Sequence, residues 1–482
     1  MKYEPNLKSV RKHKVPDWFH DAKLGIFVHW GIYSVPAFAP TEQGSINETM
    51  KDQAYHFKNN PYAEWYLNTM KIKDSPTQKH HNKVYGKDFT YFSFIPEFNQ
   101  AIKRWEPNKM ADLFKKVGAR YVVLVTKHHD GFLLWPSKYP NPKKKDHFAK
   151  RNIVGELTKA VKERGMRMGF YYSGGLDWTF NEDPIQDFLS FVTNGPLEPN
   201  YHEYIKKHFI ELIDLYEPSI IWNDIGYPPD VNPYEIIAYF YNKIPDGLIN
   251  DRWFQITKKM RDLIRDNLDR FTQAAKEISG EGAGADVLKP PHYDYRTPEY
   301  ATYHKIKKDK FESCRGIGYS FGFNREEGEK EHITINELVR MFIDIVSKNG
   351  NLLLNVGPMA DGTIPEMQVE RLLGLGRWLE TNGEAIFETR PWIRAEGGTD
   401  DGIDIRFTQK EDTLYVILLD TPKSEKITIK TLLIDKNAII NVLGYTTELS
   451  WKQIGENLTI TISEKLEEAP AYTIKIVPKP SK

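Results

Sequence analysis

The sequence predicts an α/β protein, a (β/α)8-like TIM barrel followed by a C-terminal antiparallel β-sandwich. Three observations carry this expectation. Short apolar runs alternate with amphipathic stretches over roughly the first 380 residues. The runs are continuous, as strands buried on both faces require. Beyond about residue 385 the pattern changes to a period of two with no helical stretch between, the mark of half-buried antiparallel strands.

The apolar runs lie at 25–29, 121–126, 168–173, 219–222, 248–252, 316–320 and 351–356. Helical patterns at 108–117, 153–164, 201–216 and 335–347 each precede a run, which gives helix-then-strand repetition. Seven runs leave one barrel strand to find, and it is expected between Trp65 and Trp105. The alternating segments 403–408, 413–418, 426–429, 458–463 and 472–477 form the sandwich. The division expected is a barrel over 1–384 and a sandwich over 385–482, joined near 381–389. One segment exceeds a minimal barrel. Residues 254–278 read as a charged amphipathic helix and 279–286 as a small-residue loop. Together they suggest an insertion at about 254–290, either a lid or oligomer contact or a solvated excursion.

The chain's 482 residues exceed what one core organises, in keeping with two domains. Sixty-six basic residues balance 66 acidic ones, so no bulk field draws in nucleic acid or anionic lipid. No apolar run approaches the length that crosses a bilayer. Residues 1–16 are charged and lack the apolar core of a signal peptide. Cys314 is the only cysteine, which excludes an intrachain disulfide and fits a reducing compartment. A cytoplasmic protein is expected. Aromatic residues make up 13%, enough for a large core or for stacking on sugar rings.

Barrel enzymes collect reacting groups at the C-terminal ends of strands. Here the runs lead into His29 and Trp30; into Thr126, Lys127, His128, His129 and Asp130; into Tyr171, Tyr172 and Ser173; into Trp222, Asn223 and Asp224; and into Asp251, Arg252 and Trp253. Five such endings around one barrel point to a shared polar pocket. No His-x-His or His-Glu-x-x-His pair marks a metal site, and no glycine-rich loop opens a helix for phosphate. Neutral imidazoles, indoles and an arginine around carboxylates suit an uncharged, polyhydroxylated substrate. Glycosidic cleavage needs two carboxyl groups in different protonation states. Asp224, just past a buried strand and two residues after Trp222, is the candidate for the ionised one. Spacing does not identify its partner.

At these residues the sequence resembles glycoside hydrolase family 29, the α-L-fucosidases, and is most similar to their thermophilic prokaryotic members. The resemblance is carried by the stretch of 18–34 that contains Phe-Val-His29-Trp-Gly-Ile-Tyr-Ser, by Asn60-Pro-Tyr-Ala-Glu-Trp-Tyr, Thr126-Lys-His-His-Asp-Gly-Phe, Tyr171-Tyr-Ser-Gly-Gly-Leu-Asp-Trp and Ile221-Trp-Asn-Asp, and by Asn250-Asp-Arg-Trp, Gly316-Ile-Gly-Tyr-Ser-Phe-Gly-Phe-Asn and Gly350-Asn-Leu-Leu-Leu-Asn-Val-Gly-Pro. It runs from about residue 10 to the end.

The resemblance implies a retaining exo-α-L-fucosidase that works by double displacement on fucosylated glycans, needs no cofactor or metal, and assembles as a homo-oligomer. It assigns the nucleophile to Asp224 and substrate contacts to His29, Glu64, Trp65, His128, His129, Tyr171, Trp222 and Arg252. Phe321 would face the fucose methyl. The acid/base falls in a Thr-x-Glu-Tyr segment, here Thr297-Pro-Glu-Tyr, which nominates Glu299. The insertion separates this segment from Asn250-Asp-Arg-Trp, so Glu281 and Glu64 stand as competitors. The alternatives are another retaining glycosidase on the same fold, such as one acting on β-galactosides, and a catalytically silent sugar-binding protein.

Overall fold

A computed structural model describes residues 2–271, 273, 289–446, 449–463 and 466–480. Seven parallel strands form one curled sheet: β1 Leu24–Val28, β2 Tyr121–Lys127, β3 Arg167–Ser173, β4 Ile220–Asp224, β5 Leu248–Ile249, β6 Phe311–Gly316 and β7 Gly350–Val356. Their order is β5-β4-β3-β2-β1-β7-β6. Every residue of β1, β2, β4, β5 and β7 is buried, because helices cover one face and packed side chains fill the other. The helices that return the chain are capped as their sequences dictate. Asn152 accepts from Gly155 N at 2.9 Å to start Ile153–Glu163. Thr334 and Glu337 form a reciprocal box at the start of Ile335–Ser347.

Two expectations about strands need correction. The sixth strand is not 316–320 but Phe311–Gly316, and 317–320 forms the loop beyond its end. Glu312 and Arg315 interrupt the apolar pattern of that strand, whereas Ile317 imitates it. The missing eighth element does not lie between Trp65 and Trp105, a region made of short helices such as Pro76–Val84 and Ile95–Ala101. Residues 294–300 bridge β5 and β6 instead. Asp294 N donates to Ile249 O at 3.1 Å, and Ile249 N returns a bond to Asp294 Oδ2 at 2.8 Å. On the other side Glu312 N donates to Arg296 O at 2.7 Å, Cys314 N to Pro298 O at 3.0 Å and Tyr300 N to Cys314 O at 2.9 Å. Pro298 offers no N–H and Tyr300 takes a positive φ of 48°, so the segment closes the ring without a regular ladder.

The C-terminal strands are β8 Arg390–Gly398, β9 Asp404–Lys410, β10 Thr413–Leu418, β11 Lys426–Ile429, β12 Ile439–Val442, β13 Leu449–Ile454, β14 Asn457–Ile462 and β15 Tyr472–Val477. They pair antiparallel as a five-stranded sheet, β12-β15-β10-β9-β8, and a three-stranded sheet, β11-β14-β13. Phe407, Leu414, Val416 and Ile474 of one meet Ile427, Leu458 and Ile460 of the other in a core of their own. The outer face of the larger sheet is covered too: Tyr415, Ile417 and Ala471 join the barrel's core, and Trp378 Nε1 donates to Ala471 O at 3.0 Å.

Of the segment at 254–290, the described part holds the helix Lys258–Asp266, which starts later than the 254 expected and breaks at Asn267; residues 272 and 274–288 lie outside the described residues. Its Ile264 packs with Val192 and Phe191, and Arg261 Nη1 donates to Thr193 O at 2.7 Å. Glu281 lies outside the described residues. Among the described residues no helix is long and apolar enough to cross a membrane.

Candidate active site

The C-terminal ends of the barrel strands converge as the sequence suggested. Asp224 ends β4, where Ile225 turns the chain with a φ of 55° and Gly174 N and Gly175 N both reach Asp224 O at 3.2 Å. Asp224 is buried, and each of its carboxylate oxygens has a donor. Arg252 Nη1 reaches Oδ1 at 2.9 Å and Tyr171 OH reaches Oδ2 at 2.7 Å. Burial and the Asp224 charge hold the Tyr171 phenol well above its ordinary range, so it stays the donor.

Glu299 sits on the bridging segment 294–300 and faces the same guanidinium. Arg252 Nη2 donates to Glu299 Oε2 at 3.0 Å, and Tyr62 OH donates to Oε1 at 2.7 Å. Arg252 lies 4.6 Å over the Trp222 ring, and its Nε donates to Thr297 Oγ1 at 3.0 Å. Thr297 is braced in turn by Asp251, at 2.7 Å from its hydroxyl. Burial opposes the Arg252 charge, but Asp224 and Glu299 outweigh it and hold the guanidinium protonated.

The three histidines form one wall. His29 Nδ1 meets Asn355 Oδ1 at 2.6 Å, and Asn355 Nδ2 donates to Phe321 O at 2.6 Å, which fixes the amide's orientation. Nδ1 of His29 therefore carries the proton and Nε2 is the acceptor. His129 Nδ1 meets Ser173 Oγ at 2.6 Å, and that hydroxyl donates to Leu176 O at 2.7 Å, so the same tautomer follows. Burial drives His29 and His129 down to about 3 and holds His128 well below its ordinary 6.5. All three rings are neutral near pH 7. His128, adjacent in sequence to His129, stacks on Tyr171 at 5.5 Å with its ring 4.0 Å from that of His129. Past the regular end of β2 the alternation of a strand no longer separates them.

The connection between β1 and β2 contributes a second wall. Trp65 meets His129 edge-on at 5.3 Å and Trp178 at 5.4 Å. Glu64 Oε2 accepts from Gly322 N at 2.7 Å and so ties down the loop carrying Phe321; burial raises it to about 7. The Phe321 ring lies 4.9 Å from His29 and 5.4 Å from Tyr62. The described residues assigned a catalytic or substrate-contact role thus lie at this mouth, whereas of the other strand endings Tyr172 turns to His208, Trp253 to Phe209 and Tyr227, and Trp30 to Phe98 and Trp105.

Sequence reasoning missed several supporting residues. Tyr62 stood inside the Asn60-Pro-Tyr-Ala-Glu-Trp stretch but had no assigned part. Asn355 and Thr297 orient the groups named above; Ser173 and Asp251, already among the strand endings, do the same. Glu312, fully buried inside the barrel, accepts from Trp222 Nε1 at 3.0 Å and from Tyr121 OH at 2.6 Å, and burial raises it to about 7. Beneath His129, the wholly buried Lys127 and Asp177 pair at 2.8 Å. Among the described residues, no group of three or more His, Cys, Asp and Glu side chains is placed to hold a metal ion. A cleft of about 450 Å³ at the other end of the barrel, lined by Asp17, His20, Lys307 and Trp392, contains none of the site residues.

Residues 1–384 match the family described as Alpha-L-fucosidase, and residues 401–477 match the Alpha-L-fucosidase C-terminal domain. The chain is 34% identical over 400 residues to the Alpha-L-fucosidase of Dictyostelium discoideum, covering 81% of this chain and 75% of that one. It is 42% identical to the Thermotoga maritima alpha-fucosidase solved with a mechanism-based inhibitor, with a TM-score of 0.84 over 98% of this chain and all of that one. A Thermotoga maritima alpha-L-fucosynthase, an aspartate-to-glycine variant in complex with a fucosyl-fucosyl azide, is likewise 42% identical, with a TM-score of 0.85 over 99% of this chain and 100% of that one. With its barrel, its sandwich and this crowded mouth, the chain belongs to the α-L-fucosidase family of glycoside hydrolases.

Proposed function

We propose that the protein is a retaining exo-α-L-fucosidase acting on terminal fucose of fucosylated glycans, with Asp224 as nucleophile and Glu299 as acid/base. One observation carries the reading: a single guanidinium, Arg252, binds one oxygen of each carboxylate, at 2.9 and 3.0 Å. Two carboxylates on one fork lie close, which supports the short separation of about 5–5.5 Å that retention uses rather than the wider gap that admits a water. Asp224 is the more enclosed, with 9% of its side chain exposed against 26% for Glu299. An enclosed carboxylate with two donors suits a nucleophile. A more open one suits a group that exchanges protons with leaving group and water.

In the first step an Asp224 oxygen attacks the anomeric carbon while Glu299 gives its proton to the departing oxygen. In the second, Glu299 takes a proton from water, whose oxygen displaces Asp224. The neutral His29, His128 and His129 present ring nitrogens to sugar hydroxyls, Trp222 and Trp65 offer apolar faces, and Phe321 meets the C5 methyl. A Thermotoga maritima relative with an aspartate replaced by glycine, named a fucosynthase and solved with a fucosyl-fucosyl azide, supports this assignment. No step calls for a metal. Hydrolysis of a panel of nitrophenyl glycosides tests the reading. Turnover confined to the α-L-fucoside is expected; preference for a β-galactoside, or no turnover at all, would favour the other glycosidase or the silent binder.

A further inference from the structure

The motif Asn60-Pro-Tyr-Ala-Glu-Trp places three side chains at the mouth, and the first of them, Tyr62, faces Glu299. Its hydroxyl donates to Glu299 Oε1 at 2.7 Å. The ring is wedged edge-on against Phe321 at 5.4 Å and parallel to Tyr300 at 6.4 Å. Its backbone is fixed as well, since Tyr62 N donates to Asn60 Oδ1 at 2.9 Å and Ala63 N to Ser320 Oγ at 2.9 Å. The phenol therefore has little freedom to turn away. Burial first, and then the Glu299 charge, hold it well above its ordinary range, so it keeps its proton and remains a donor.

A carboxyl group that must deliver a proton carries it on one oxygen only. With a fixed phenol on one lone pair of Oε1 and a fixed guanidinium N–H on one lone pair of Oε2, the carboxyl plane cannot rotate, so the oxygen that faces the leaving group is set by these two donors. We propose that Tyr62 is a positioning residue that anchors Oε1 of Glu299 and so keeps Oε2, the oxygen on the side shared with Arg252 and Asp224, turned to where the proton is transferred. This rests on the reading of Glu299 as acid/base. In the first half-reaction the Oε2–H bond breaks, its proton passes to the leaving oxygen, and the C–O bond breaks as Asp224 attacks. Glu299 is left as a carboxylate with Tyr62 on Oε1 and Arg252 on Oε2, the arrangement seen here. In the second, water's proton returns to Oε2. Asp224 has the matching pattern, with Tyr171 on one oxygen and Arg252 on the other, and needs no proton in either step.

The charged and titratable groups around Glu299 are Arg252 from the end of β5, Asp224 from β4, Cys314 from β6, Glu64 from the same motif as Tyr62, and Tyr300 next in sequence. Removing the Tyr62 hydroxyl deletes a hydrogen bond that favours the ionised carboxylate over its protonated form. The experiment compares wild type, Tyr62→Phe and Glu299→Ala on aryl α-L-fucosides of graded leaving-group acidity, each with a full pH profile of kcat/KM. Tyr62→Phe removes one atom from a packed ring, and a thermal melt checks that the fold is intact. We expect Tyr62→Phe to lose about tenfold or more on the poorest leaving group and little on a dinitrophenyl fucoside, as part of the 10²–10⁴ that acid catalysis supplies. Its basic limb should move up by about half a pH unit or more. Equal losses on all leaving groups, or an unmoved basic limb, would overturn the inference while a leaving-group effect in Glu299→Ala preserved the acid/base reading. A flat leaving-group response in Glu299→Ala would overturn that reading, and this inference with it.

Discussion

Asp224 and Glu299 share one cation: Arg252 gives its Nη1 to Asp224 at 2.9 Å and its Nη2 to Glu299 at 3.0 Å. The guanidinium offsets two negative charges that would otherwise repel across the mouth. Lysine cannot do this with one ammonium, because only the planar fork reaches both oxygens at fixed angles. Arg252→Lys should therefore lose about 10²-fold or more in kcat/KM, the scale of losing a charge-stabilising donor. Arg252→Gln, which removes the cation, should also move the acidic limb to higher pH, since an unshielded carboxylate beside a second one takes up a proton more readily. A near-wild-type profile for Arg252→Gln would show that the bridge does not matter to the chemistry.

Phe321 predicts sugar selectivity. Its ring, held by Glu64 and Asn355 through the backbone of residues 321 and 322, presents an apolar surface beside His29. An α-L-galactoside differs from the fucoside by a hydroxyl where fucose has hydrogen on C6. In an apolar slot that difference is worth about 1–3 kcal/mol, or roughly ten- to two-hundred-fold in kcat/KM. Equal kcat/KM for the two glycosides would remove Phe321 from this part. Phe321→Ala should narrow the ratio.

Metal independence is directly testable. Exhaustive EDTA treatment should leave the rate on nitrophenyl fucoside unchanged, and added zinc should not raise it. Activity lost to EDTA and restored by zinc would require a different mechanism.

Glu312 sets a pH dependence of stability whose sign can be worked out. Its folded pKa is raised from 4.5 to about 7, chiefly by burial. Between those values the folded protein holds a proton that the unfolded chain has released. The contribution is fully present below about pH 4.5 and is lost as pH rises through about 7, worth at most about 3 kcal/mol across the window. Glu312→Gln keeps polar atoms facing Trp222 and Tyr121 without a titratable proton. Its melting temperature, compared with wild type at pH 5 and pH 8, should gain ground at the higher pH. The buried histidines act in the opposite sense. His29 and His129 fall from 6.5 to about 3, so their contribution is complete above pH 6.5 and is lost as pH falls toward 3. A Glu312→Gln difference that did not change between pH 5 and pH 8 would contradict the assignment.

How much of this was legible follows from what each element must do. The strands β1, β2, β3, β4 and β7 are covered on both faces, and their apolar runs announce them. The strand β6 hides because Glu312 serves the interior and Arg315 the outside, and the closing segment 294–300 hides because its bonds go around Pro298 rather than through a ladder. Asp224, Arg252 and the histidines were readable because a strand end exposes them in sequence order. Tyr62 was not, since a tyrosine in a loop looks like packing until the fold lays it against Glu299 from 237 positions away. The pairings of His29 with Asn355 and of Trp222 with Glu312 are invisible for the same reason: parallel strands bring together residues that spacing keeps apart.

The central claim is that Asp224 forms the bond to fucose, and one variant tests it most directly. Asp224→Gly removes one side chain at the mouth and leaves the backbone bonds to Gly174 and Gly175 in place. Hydrolysis of nitrophenyl α-L-fucoside should fall nearly to nothing. Azide, small enough to occupy the vacated space, should restore nitrophenol release, and NMR of the product should show the β-configured fucosyl azide, inverted once by direct attack. Wild-type turnover without azide, or an α-configured azide product, would contradict the account.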